Sequence, residues 1–264
     1  MRELAADEFN KITKANMKDS YLVKFMPCRH VTSLLEGTLY CNSLDFFRGK
    51  ENENAEMGDA REGDIGINYI KDPNQMVTGR LTLDGGSIFV YCMSIDYLNP
   101  GSLPSGFFDK TFSGFKDFYK DRKEPVFRLS FIPDYFIQCV LNAYKFLKQT
   151  TQIEMVHSMV YYTDNQEEGI LSVKKSMKND PAFQLFEKVQ ENDVNTILAA
   201  FVKGAKYKYQ HEYRFVFYNL DSNLIVKEPE SDSQSKNNRY AHFVLDLTKG
   251  NEGFPRECLF QRFM

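Results

Sequence analysis

The run Glu212-Tyr213-Arg214-Phe215-Val216-Phe217 holds the most informative polar residues of this chain. A strand alternates its side chains, so Tyr213, Phe215 and Phe217 share one face while Glu212, Arg214 and Val216 share the other. A carboxylate and a guanidinium on one face of an otherwise apolar strand are costly to bury unless they pair or line a cleft. The residues alone leave two readings open: a structural Glu–Arg pair covering a sheet end, or a cleft carboxylate positioned by neighbouring cations. The stretch before it, Lys203-Gly204-Ala205-Lys206-Tyr207-Lys208-Tyr209-Gln210-His211, interleaves basic and aromatic residues, as do surfaces that stack bases and hold phosphates. Snorkelling lysines along a strand edge give the same pattern.

The segment from Glu51 to Asp64, ENENAEMGDAREGD, gathers Glu51, Glu53, Glu56, Asp59, Glu62 and Asp64 around Arg61. Carboxylates this close could hold a divalent cation, although the spacing is not that of an EF-hand, and a solvated acidic loop reads the same way. Gly58 and Gly63 permit tight turns beside Arg61, whose guanidinium can fork onto a phosphate or carboxylate. The histidines His30, His157, His211 and His242 show no metal-ligand spacing. His30 follows Arg29 just ahead of a short helical run, where a cation and helix amides could meet an anionic group. The sequence contains no G-x-S-x-G elbow, no Walker loop and no G-x-G-x-x-G.

Several elements must position these residues. Tyr21 to Phe25 reads as a strand ended by Pro27, followed by a helix across Val31 to Leu35 that Gly37 closes, and a second strand at Thr38 to Cys41. Strands are expected at 65–70, 80–84 and 87–93, with Asp84-Gly85-Gly86 as a tight connection between the last two. A loop is expected at 98–106, an aromatic-rich segment at 107–121 and a strand at 126–131. The clearest helix starts at Pro133, with Phe136, Cys139, Val140, Ala143, Phe146 and Leu147 on one stripe. A strand over Met155 to Tyr162 comes next, then helices opened by Asp180-Pro181 and by Asp193, the latter closed by Gly204. Strands follow at 212–218, 223–227 and 241–247, and 228–239 reads as a hairpin tip. Hairpins and helices mix without regular β-α-β alternation, which predicts an α+β fold: an N-terminal arm at 1–19 and one domain over 20–264.

Composition narrows the function classes. A chain of 264 residues with 23 Phe and 15 Tyr has ample core material and needs no metal or disulfide staple. A net charge of −3 argues against a broad grip on nucleic acid, although a local basic patch is compatible with it. The five cysteines, Cys28, Cys41, Cys92, Cys139 and Cys258, are odd in number and widely spread, which predicts free thiols in a reducing compartment. The N-terminal residues carry no apolar signal region, and no apolar run approaches the ~20 residues that span a bilayer, so a cytoplasmic protein with no membrane contact is expected.

The order of these motifs resembles a widespread family of bacterial and phage proteins known only as a domain of unknown function. The likeness runs through Tyr21 to Phe25, Val31 to Gly37, Leu39 to Phe47, the strand Tyr91-Cys92-Met93-Ser94, and Lys206 or Lys208 followed by Glu212-Tyr213-Arg214. Met93 stands where that family has Phe, and its tryptophan before the Glu-Tyr-Arg strand is missing. More distantly, the opening unit is similar to ADP-ribosyltransferase-like folds. That resemblance implies Arg29 or His30, with Arg61, on the phosphates or nicotinamide ribose of NAD, Ser94 on a middle strand, and Glu212 as the late glutamate that stabilises an oxocarbenium-like transition state, with Arg214 beside it. The implied function is an NAD- or nucleotide-using transferase with a Glu/Arg-lined cleft. Two alternatives stand beside it: a non-catalytic phage or host protein-interaction module, and a metal-dependent nuclease using Asp59, Glu62 and Asp64.

Overall fold

In the computed structural model, which describes residues 19–50, 64–72, 75–82, 88–97, 119–120, 123–177, 197–219, 242–255 and 258–263, alternating apolar strands build an eight-stranded antiparallel sheet with helices on its faces. The strands of this α+β sheet are β1 (Ser20–Pro27), β2 (Thr38–Ser43), β5 (Ile88–Tyr97), β6 (Val126–Phe131), β7 (Ile153–Met159), β10 (Glu212–Asn219), β11 (His242–Asp246) and β12 (Cys258–Arg262). Two short pairs stand apart, antiparallel β3 (Asp64–Asp72) with β4 (Gln75–Thr82) and parallel β8 (Tyr161–Tyr162) with β9 (Val202–Lys203).

The sheet is forked. One edge of β5 pairs with β10, which in turn pairs with β7. Towards its C-terminal end β5 also pairs with β1, from which β6 and β12 continue, and near its start it pairs with β2, from which β11 continues. Between the two branches lies Cys92, whose carbonyl accepts a hydrogen bond from the Lys24 ammonium at 2.6 Å. The same ammonium sits 4.5 Å from the centre of the Tyr91 ring. Burial pulls the Lys24 pKa down, against the opposing pull of Cys92, Glu212 and Cys41.

Alternation along the strands gives the sheet two distinct faces. Tyr91, Met93, Tyr213, Phe215, Phe217, Leu129 and Phe131 join α3 (Pro133–Leu147) and α1 (Cys28–Leu35) in the larger core. The opposite face carries Val90, Val156 and Val216 beneath α4 (Gln166–Met177) and the buried run Ile197 to Val202, and separately Val23, Phe25, Tyr119 and Val126. α1 ends at Gly37, whose φ of 95° is a left-handed geometry that side chains with a Cβ avoid. α3 begins at Pro133, where the fixed φ suits the first turn and the missing N–H costs nothing. A short helix α2 (Leu44–Lys50) follows β2.

Some expectations change. β4 pairs with β3 across only two intervening residues, so the hairpin is β3–β4 rather than a pairing of 80–84 with 87–93. The expected strand 155–162 is two strands: β7 stays on the sheet beside β10, and after Val160 the chain leaves to pair with β9. Gly204 closes no α-helix; it lies between β9 and a 3-10 turn over Ala205–Gln210. α4 and β12 were not expected. The N-terminal arm, the 98–106 loop, the helix starts at Asp180 and Asp193, the strand at 223–227 and the 228–239 tip lie outside the described residues. All five cysteines are free thiols, and no described helix is long and apolar enough to cross a membrane.

Candidate functional site

Glu212 opens β10 on the face that α4 covers. The segment from Ile197 to Gln210 crosses that face as a turn, β9 and a second turn, and lowers its own polar groups onto the strand. The Lys203 ammonium donates to Glu212 Oε1 at 2.8 Å and to Gln210 Oε1 at 2.7 Å. Arg214 Nε donates to Glu212 Oε2 at 2.7 Å, another guanidinium nitrogen lies 2.6 Å from the same oxygen, and a third donates to the Ala200 carbonyl at 2.6 Å. The Glu212 N–H donates to the Tyr162 hydroxyl at 2.8 Å, and the Lys203 ammonium sits 4.9 Å from the Tyr207 ring centre. Both carboxylate oxygens are therefore held by cations, and the sharing of one strand face by Glu212 and Arg214 is explained by pairing.

Burial alone would raise the Glu212 pKa. The charges of Arg214 and Lys203 and their hydrogen bonds outweigh it, and the carboxyl group comes down to about 2. Glu212 is thus a fixed anion at neutral pH and not a proton donor. The side chains of Arg214 and Lys203 are sealed at 0% and 1% exposure and that of Glu212 is 10% exposed, so the whole triad is buried and Glu212 is its least enclosed member.

The antiparallel register places Ser94 directly opposite Glu212. Ser94 is 5% exposed, and its side chain makes no hydrogen bond to any described residue. The same line continues across the sheet: Ser94 faces Val23, and Val23 faces Ser130 of β6. Arg128, two residues before Ser130 and on the same face, donates through Nε to Ser130 Oγ at 3.1 Å and is ion-paired with Asp96 of β5. Along this line the polar Glu212 and Ser94 are parted from Ser130 by the buried Val23, which belongs to the smaller apolar cluster of this face.

Of the residues singled out from sequence, the fold brings Glu212, Arg214 and Ser94 together. It does not bring Arg29 and His30 to them. Both lie exposed in the first turn of α1, where Arg29 bonds His30 at 3.1 Å and Glu124 at 3.1 Å. Val23 is the neighbour of Ser94, and the four residues from there to Pro27 carry the chain roughly 13 Å away at the ~3.3 Å rise of a strand. Arg61, Asp59 and Glu62 lie outside the described residues, and Asp64 is the first residue of β3. Among the described residues no group of three His, Cys, Asp or Glu could hold a metal ion.

Sequence reasoning missed Asp96, Arg128 and Ser130, and did not assign Lys203 to Glu212. One signal was available: Arg128 and Ser130 in VFRLSF, like Ser94 and Asp96 in β5, keep a strand's period of two, which puts polar groups on one face of each strand. Comparisons with protein-family models, with curated proteins and with solved structures found no match to this chain.

Proposed function

We propose that the chain is an NAD- or nucleotide-using transferase, with ADP-ribosyl transfer as the reaction class and Glu212 as its charge-stabilising carboxylate. In such a reaction the bond between the ribose and nicotinamide breaks, its electron pair leaves with nicotinamide, and a nucleophile takes its place at the ribose carbon. Positive charge gathers on the ribose in between, and a preorganised anion lowers that barrier without having to reorient. The observation that carries the reading is the Glu212 carboxylate, ionised and clamped by Lys203 and Arg214, with the Ser94 hydroxyl directly across the ladder. Ser94 is the group assigned to orient the ribose, and NAD is the proposed co-substrate. Arg29, His30 and Arg61 are not needed for this reading.

Glu212→Gln strips the triad of its anion and leaves two buried cations unmatched, at a cost of about 3–5 kcal/mol in stability. Glu212→Asp keeps the charge but withdraws it by one methylene, and Ser94→Ala removes a single oxygen. With NAD as substrate, release of nicotinamide is expected to fall about a hundredfold in Glu212→Asp while the protein stays folded. A folded wild type that releases no nicotinamide, or a Glu212→Asp variant as fast as wild type, refutes the proposal.

A second reading, protein interaction, is favoured by β12, which pairs only with β6 among the described strands and exposes Leu259 and Phe260 at 59% and 52%. A stoichiometric partner that is lost on Leu259→Lys and kept on Glu212→Asp would support it.

A further inference from the structure

The interaction reading of the preceding subsection leaves the partner of β12 unnamed. We propose that β12 pairs antiparallel with β12 of a second copy of this chain, about a two-fold axis at Phe260, so that two sheets become one. This rests on the interaction reading and is independent of the transferase chemistry.

Three observations carry it. The first is an open edge. Among the described strands β12 pairs only with β6. The Phe263 N–H donates to the Val126 carbonyl at 2.8 Å, and the alternation of an antiparallel ladder then turns the backbone groups of Gln261 and Leu259 towards β6. Those of Phe260 point the other way, and none of the described residues bonds to them. From Cys258 to Arg262 the strand has no Pro, no Lys and no register shift, the devices with which natural edges discourage pairing. The second is apolar exposure on both faces. Leu259 and Phe260 are 59% and 52% exposed although they project to opposite faces, so neither face of the strand is covered there. Phe260 stacks on Phe127 of β6, with ring centres 4.6 Å apart and planes at 13°. Opposite residues of an antiparallel pair share a face, so the partner's Phe260 extends this stack across the axis.

The third is self-complementarity. A two-fold contact sets each residue against a residue of the same strand, and every such pair must be compatible. About Phe260, Cys258 falls opposite the partner's Arg262 and Leu259 opposite the partner's Gln261. The strand's single charge therefore meets a thiol and never its own copy. The outward N–H and C=O of Phe260 exchange two hydrogen bonds with those of the partner's Phe260. An axis at Leu259 or Gln261 would fall on backbone groups already given to β6, and an axis at Arg262 would oppose two guanidiniums. A strand of five residues buries less than the ~1,200 Å² of a standard interface, so the dimer is weak, with a dissociation constant of about 10–100 µM.

The test is sedimentation equilibrium of the full chain from about 5 to 500 µM. Wild type is expected to pass from monomer to dimer across this range. Phe260→Pro removes the outward N–H and spares every bond to β6, so it is expected to keep the fold and weaken the dimer about tenfold or more. Phe260→Lys and Phe260→Glu each set like charges across the axis and are expected to be monomeric alone, whereas an equimolar mixture of the two is expected to dimerise. Circular dichroism melts check that each variant is folded, and dimerisation of the mixture is a signal that misfolded chains could not give. A wild type that stays monomeric throughout overturns the proposal, as does a dimer that survives Phe260→Pro and Phe260→Lys. A mixture that stays monomeric overturns the axis at Phe260. If wild type is monomeric yet binds a different protein stoichiometrically and loses it on Leu259→Lys, self-pairing fails and the interaction reading survives. A Phe260-dependent dimer that binds no other protein upholds self-pairing and ends the reading of β12 as a phage or host docking strand.

Discussion

His211 precedes the clamped carboxylate in a backbone geometry that few side chains accept. Its φ and ψ of 46° and 48° are left-handed, and among the described residues it is the one non-glycine with positive φ. Such a conformation costs about 1–3 kcal/mol, and surrounding contacts must hold it. Here the His211 carbonyl accepts from the Ile95 N–H at 2.8 Å, so the strained residue ties β10 to β5 at the point where Glu212 meets Ser94. The imidazole is 2% exposed, and burial pushes its pKa down to about 3. The unfolded chain takes up this proton near pH 6.5 and the folded chain only near pH 3, so His211 adds no pH dependence above about 6.5 and erodes stability as pH falls from there to 3. The contribution is at most about 1.4 kcal/mol per pH unit. His211→Asn keeps a residue tolerant of left-handed backbone and removes the titration. Urea unfolding between pH 7 and 4 is expected to show a flatter decline for this variant than for wild type. At this scale the sequence revealed that Glu212 and Arg214 share a face, because alternation is local. The contribution of Lys203 was hidden, because the eight intervening residues must fold back over the strand before its ammonium can reach the carboxylate.

Helix α4 and strand β9 decide how closely the upper layer approaches the sheet. Gly169 of α4 faces Val202 and Thr163, and a Cβ there would lie 2.6 Å from Val202 Cγ1 and 2.8 Å from Thr163 Cγ2. Both neighbours are buried, and Val202 is the residue before Lys203. Gly169→Ala is therefore expected to cost about 1–3 kcal/mol through overpacking, measured by chemical denaturation, and to displace Lys203 from Glu212. Elements with strong local signals could be read directly. β6 lies between turn residues and the Pro133 start of α3, and α3 shows its apolar stripe at helical spacing. α4 escaped notice because its buried positions, Ile170, Val173 and Met177, form a thin stripe interrupted by lysines and by Gly169. β12 escaped because its residues are largely exposed, so no alternation of apolar and polar marks it. The β7–β8 break was invisible for the opposite reason: both strands are rich in apolar and aromatic residues, and only their different partners separate them.

For the whole molecule, the α+β class followed from the irregular succession of elements, and the observed sheet agrees with it. The sheet's branching could not be read, because pairing partners far apart in sequence are set by tertiary packing. The fork at Cys92 makes the sheet a spine of β5, β10 and β7 with two separate leaves, one of β1, β6 and β12 and the other of β2 and β11. Each leaf is held to β5 by its own short run of pairs, four residues for the first and two for the second, so the two can open independently. Amide hydrogen exchange is expected to be faster in β2 and β11, the leaf with fewer pairs to β5, than in β1 and β6, with Lys24 as the seam between two parts of one sheet that breathe at different rates.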